Sequence, residues 1–151
     1  MGDGIVAEAR NLLLGMLARR EYSRWELQRK LTTRGYPSWV IEGALADLCQ
    51  NNLQSDERFT ESYFRSRVER GFGPRRIAAE LKQRGIGVAL IAESLAQERK
   101  NWHSQAMTVR NKRFGQALPS SPKERARQIR FLQYRGFTQE QINHALSERD
   151  G

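Results

Sequence analysis

Apolar residues recur at intervals of three and four along most of the chain and nowhere alternate convincingly with period two, a pattern that predicts helices. Leu13, Leu14, Leu17 and Ala18 mark a first helix over about Ile5 to Arg19. Ser23 followed by Glu26 reads as a capping box opening a second, whose buried face carries Leu27 and Leu31. That helix stops at Gly35, since glycine alone enters the left-handed position after a helix cheaply, and Tyr36 supplies the apolar latch behind it. A third runs from about Pro37 through Ile41, Ala44, Leu45 and Leu48.

The plan then repeats. Phe59, Tyr63, Phe64 and Val68 lie on a helix from about Asp56 to Arg70; "GFGP" turns the chain, and Pro74 suits the first position of the next helix. Ile77 and Leu81 form that helix's stripe, Gly85 ends it, and Leu90, Ile91 and Leu95 mark another. A third round has a helix from about Ser104 to Phe114, the breaker "GQALPSSP", a restart at Ser121, Pro122 and Glu124 by the same capping-box logic, and a last helix opened by Thr138 and Gln141.

Three segments share one frame: Leu, two residues, Arg-Gly, an apolar residue, four residues, Ile, two residues, a small residue and Leu. It matches at Leu31, Leu81 and Leu132; at Arg34, Arg84 and Arg135; at Gly35, Gly85 and Gly136; at Ile41, Ile91 and Ile142; and at Leu45, Leu95 and Leu146. A spacing near 50 residues is the signature of a helical repeat whose units share a continuous core. The predicted fold is all-α: three tandem three-helix, helix-turn-helix-like repeats over residues 5–54, 55–101 and 102–150.

Composition narrows the partners. Of 26 basic residues 21 are Arg, and the net charge of +9 is uneven: +1 over residues 1–55, +3 over 56–101 and +5 over 102–151. Arginine favours bidentate contacts with phosphates and carboxylates, so an anionic partner is expected. Absence of an apolar run long enough for a membrane span, and of a basic-then-apolar leader, predicts a cytoplasmic protein without a membrane partner. The single Cys49, beside Leu45 and Leu48, is expected to be a packed, inert thiol.

Enzyme chemistry finds no foothold. No Gly-rich phosphate loop ends in Lys-Ser/Thr, no His-Glu-x-x-His occurs, and Cys49 has no Cys or His set around it, so no catalytic residue, metal or cofactor is expected. His103 and His144 are 41 residues apart and read as solvated or packed. Asp56 and Glu57 open a helix, where the positive dipole end suffices to explain them.

The basic residues are the better candidates. Lys123, Arg127 and Arg130 share one helical face; Arg65, Arg67, Arg70, Arg75, Arg76, Lys82 and Arg84 crowd two helices and their turn; Arg110, Lys112 and Arg113 form a third cluster. Phe59, Phe64, Phe72 and Phe137 fall where helices pack and are expected in the core. Trp39, Phe131 and Tyr134 fit the buried pattern less well and are open to stacking on a base or filling a partner's pocket.

"SDERFTESYFRSR" followed by "GFGPRRIAAELKQRGI" resembles the RecX family, bacterial regulators of the RecA recombinase. The resemblance rests on Asp56-Glu57, Arg58-Phe59, Tyr63, Arg67, Gly73-Pro74, Ile77, Glu80-Leu81 and Gly85-Ile86, and it extends from about Ala7 to Ser147 with the looser "GQALPSSP" in the third repeat. It implies an elongated, curved array of three-helix units that acts as a monomer, binding the RecA filament on single-stranded DNA, directly or through the DNA within it. It also implies inhibition of filament growth, ATP hydrolysis, strand exchange and co-protease activity. Two other readings of the residues stay open: a nucleic-acid-binding module such as a transcription regulator, and a helical-repeat scaffold for an acidic protein.

Overall fold

The structure is a computed structural model and describes residues 2–98 and 101–147, with the side chains of Gly2 and Asp3 left aside. Among these residues there are nine helices and no strand: α1 Gly2–Leu17, α2 Arg24–Thr33, α3 Ser38–Gln50, α4 Asp56–Glu69, α5 Pro74–Gln83, α6 Val88–Glu98, α7 Trp102–Phe114, α8 Pro122–Arg135 and α9 Gln139–Ala145.

Local signals explain most of the ends. Ser23 Oγ accepts the Glu26 N–H at 3.1 Å while the Glu26 carboxylate accepts the Ser23 N–H at 3.0 Å, and Thr138 with Gln141 closes the same box on α9. At Ser121 only half the box forms. Its hydroxyl accepts the Glu124 N–H, but the Glu124 carboxylate is drawn to Arg127 and Gln128. The three Arg-Gly stops of the repeated frame are Schellman motifs: Tyr36, Ile86 and Phe137 donate to the carbonyls of Leu31, Leu81 and Leu132, while Gly35, Gly85 and Gly136 donate to those of Thr32, Lys82 and Gln133. Arg70-Gly71-Phe72 closes α4 in the same way, Phe72 donating to Arg67 and Gly71 to Val68.

Two helices begin earlier than the pattern predicts. α1 starts at Gly2 and ends at Leu17. α7 starts at Trp102, not Ser104, because Trp102 is buried edge-on against Phe64, with ring centroids 5.7 Å apart.

The chain forms two compact units. The first holds the described residues through Tyr63 together with Leu81–Leu90. Here α1 and α2 pack on α3 around Leu13, Leu27, Leu31, Val40, Ala44 and Leu48. Each fully buried leucine contributes about 1.5–3 kcal/mol. The second unit holds Phe64–Glu80 and the described residues from Ile91 onward; α7, α8 and α9 pack mutually, burying Trp102, Ala106, Leu132, Phe137, Ile142 and Leu146. The divisions pass through α4, α5 and α6, so the middle repeat contributes to both cores.

Two expectations about packing need correction. Cys49 is exposed, since the buried stripe of α3 runs through Ile41, Ala44, Leu45 and Leu48 and position 49 falls off its edge. Phe72 is half-buried, with guanidinium groups lying over its ring. Phe59, Phe64 and Phe137 lie in the core as expected.

Candidate anion-binding surface

α8 carries a polar and an apolar face. Leu132 and Gln128 point inward, whereas Lys123, Arg127 and Arg130 are exposed along the opposite side. Arg127 lies 3.3 Å from Glu124, one turn back, an exposed pair that restrains the side chain more than it stabilises the fold. The cationic stripe read from the sequence is therefore present.

At its C-terminal end α8 meets the first turn of α5, and the meeting is made by backbone. The Gly73 N–H donates to the Arg135 carbonyl at 2.7 Å and the Arg75 N–H to the Gly136 carbonyl at 2.9 Å. Unfilled amides at one helix start thus satisfy unfilled carbonyls at another's end, with the two dipoles in favourable sense. The approach leaves no room for side chains: a Cβ on Gly73 would stand 2.6 Å from the Gly136 carbonyl carbon, and one on Gly136, at φ +98°, would stand 2.3 Å from Arg76 Cβ.

Around this joint the arginines converge. Arg67 donates through Nε and Nη2 to both oxygens of Glu80, each at 2.8 Å, and the two side chains are only 16% and 17% exposed. Arg76 Nε reaches the same carboxylate at 3.3 Å. The Phe72 ring lies beneath Arg67, Arg76 and Arg135, whose guanidinium carbons are 3.8, 4.3 and 4.9 Å from its centroid. Arg135 Nη1 also donates to the Arg70 carbonyl at 2.9 Å. One carboxylate and one aromatic ring hold three guanidinium groups that would otherwise repel. Burial of Arg76 works against its charge, but Tyr134 and Glu80 outweigh it and raise its pKa.

Beside the joint lies a recess of ≈ 430 Å³ lined by Arg75, Arg76, Gln133, Tyr134, Gly136 and Phe137. Tyr134 is 72% exposed. Arg76 lies 4.9 Å from its ring centroid and donates to its carbonyl at 3.3 Å.

Apart from Lys82 and Arg84, the candidate basic residues all belong to the second unit. Arg65, Arg70, Arg75, Lys112, Arg113, Lys123, Arg127 and Arg130 are exposed. Arg67 and Arg76 are partly enclosed at Glu80, which gives them a structural role first. In the first unit Lys82 is exposed, while Arg84 lies 4.8 Å from the Tyr63 ring centroid and 3.9 Å from Glu26.

Arg110 is corrected outright as an exposed contact residue: it is 3% exposed. Its guanidinium donates to the carbonyls of Gln116 and Ala117, each at 3.1 Å, to Asn111 Oδ1 at 2.7 Å and to Gln128 Oε1 at 3.2 Å. It pins "GQALPSSP" to α7, a use no helical pattern announces because two of its four acceptors, the carbonyls of Gln116 and Ala117, come from irregular chain.

Three relationships were invisible in sequence. Asp56 accepts the Arg24 N–H at 2.9 Å and the Gln54 side-chain amide at 3.0 Å, so it caps α2 from 32 residues away. His103 and His144 come together edge to face, centroids 5.0 Å apart, and His103 Nε2 lies 3.6 Å from Glu140. Among the described residues no group of three or more His, Cys, Asp or Glu side chains is arranged to hold a metal ion. Nor is any described helix long and apolar enough to cross a membrane.

Comparison with known proteins places this geometry in a family. Residues 9–48, 55–95 and 103–146 match the first, second and third three-helix domains of RecX. The regulatory protein RecX of Halorhodospira halophila is 44% identical over 148 residues, covering 97% of this chain and 92% of the relative. That of Pseudomonas entomophila is 43% identical over 141 residues, covering 93% and 91%. In three dimensions the chain superposes on the crystal structure of RecX from Lactobacillus salivarius with a TM-score of 0.80 at 20% identity, over 95% of each chain, a likeness of fold. Three successive domain matches and identity above two-fifths along nearly the whole length establish that this chain belongs to the RecX family, whose relatives here bear the name regulatory protein.

Proposed function

We propose that this chain is a non-enzymatic regulator that binds, as a monomer in the cytoplasm, the RecA filament formed on single-stranded DNA. There it restrains filament growth and with it ATP hydrolysis, strand exchange and co-protease activity in recombination, DNA repair and the SOS response. The observation that carries this reading is the arginine surface of the second unit, where exposed cations line α8 and the end of that helix bonds to the start of α5, which bears exposed Arg75. Such a surface suits acidic side chains and phosphates alike, and a recombinase filament on DNA presents both. Binding that prefers one arrangement of neighbouring subunits opposes the movements growth and turnover require, since a ligand shifts states only by its differential affinity.

The test is the single-stranded-DNA-dependent ATPase of RecA, titrated with this protein below the RecA concentration and repeated in excess DNA. Inhibition that survives excess DNA is the expected result. Inhibition abolished by DNA would reduce the protein to a sequestering agent and overturn the reading. Combined replacement of Arg70, Arg75 and Arg130 by Ala is expected to weaken inhibition with the fold intact, because all three side chains are exposed.

A further inference from the structure

Lys123, Arg127, Arg130 and Tyr134 follow one another along α8 at intervals of four, three and four, so they occupy a single face, and all are exposed. At 1.5 Å per residue this stripe is about 17 Å long, enough to run beside several phosphates of one strand. It ends at the recess, where Arg75 adds an exposed cation from the start of α5. Tyr134 contributes nothing to the core that would account for it. The inward positions of α8 are taken by Gln128 and Leu132, and the ring stands 72% exposed with Arg76 beside it.

We infer that this face is a track for single-stranded nucleic acid, with phosphates passing along Lys123, Arg127 and Arg130 and a base stacking on Tyr134 next to Arg75. An acidic peptide satisfies the cations but makes no particular use of a ring; a single strand carries a flat π-face with every phosphate, and a duplex hides those faces in its own stack. Recognition on these terms is tolerant of sequence and sensitive to salt. The inference deepens the filament reading by assigning a face to the nucleic acid, and rests on that reading only for where the strand comes from.

The experiment uses the full chain without RecA, and fluorescence anisotropy with a labelled oligothymidylate and an abasic strand of equal length. Tyr134→Ala is expected to weaken oligothymidylate binding roughly five- to a hundredfold and to leave the abasic strand unchanged, while Tyr134→Phe keeps both affinities. Arg130→Ala should weaken both strands and reduce the salt slope by about 0.7. Equal wild-type affinity for the two strands, an unchanged oligothymidylate affinity in Tyr134→Ala, or an oligoglutamate of equal charge binding as tightly would each overturn the assignment. Because RecA is absent from the assay, failure of wild-type protein to inhibit RecA would sink the filament reading and leave this result standing.

Discussion

The glycines that end the second helix of the second and third repeats, Gly85 and Gly136, each abut the first turn of the second helix of the repeat before, but the two joints are held differently. In the first unit Gly85 packs against Trp25, where a Cβ would stand 2.4 Å from Trp25 Cβ. In the second unit Gly136 packs against Arg76, and the backbones of Gly73 and Arg75 bond directly to the carbonyls of Arg135 and Gly136. The difference follows from what starts each receiving helix. α2 begins with Ser23 and Glu26, which satisfy each other's backbone amides, while Asp56 takes the Arg24 N–H. α5 begins after Gly73, which has no side chain to cap anything, so its amides take the carbonyls of α8 instead. A missing local cap becomes a tertiary joint, and that joint organises the arginine surface.

The largest expected effect is at the backbone-bonded joint. Gly136→Ala should destabilise by about 2–4 kcal/mol, combining left-handed strain with overpacking on Arg76, and a lowered urea midpoint at unchanged slope would record it. Gly85→Ala should cost less, about 1–3 kcal/mol, because the three atoms nearest the added methyl all belong to the Trp25 side chain, whereas at Gly136 the backbone N and Cα of Arg76 also stand 2.6 and 3.0 Å away; a cost equal to that of Gly136→Ala would erase the distinction between the joints. Glu80→Gln tests what holds the arginines and should cost about 1–3 kcal/mol, a range between exposed and buried ion pairs. It should also make stability fall with added salt less steeply than in the unmodified chain. Removing the local cap by Ser23→Ala should cost about 1 kcal/mol. Least among the glycines is Gly35→Ala, about 1 kcal/mol from left-handed backbone strain alone, since the added methyl meets nothing within 4 Å beyond its chain neighbours. A cost as large as that at Gly136 would mean that the first stop, too, is packed against something.

Much of this architecture is readable locally. Ser23, Thr138, Pro74 and the Arg-Gly stops of the repeated frame act on amides and carbonyls within one turn, so their roles follow from the order of residues alone. The cationic stripe of α8 is readable for the same reason, as helical periodicity alone places Lys123, Arg127 and Arg130 together. The joint is not. Phe72 reads as a core aromatic until Arg135, 63 residues later, lies over it, and Arg110 reads as a surface cation until irregular chain closes around its guanidinium. His103 and His144 become neighbours only when α9 packs on α7.

By itself, then, the order of residues determined nine helices, a threefold repeat and a basic, arginine-rich surface, because helix periodicity, capping and charge are properties of short windows. Tertiary structure decided which arginines are structural and which face solvent, and it seated Tyr134 beside Arg75 at the end of the stripe. Those outcomes depend on donors and acceptors from separate segments meeting at 2.7–3.3 Å, and no local pattern encodes such distances.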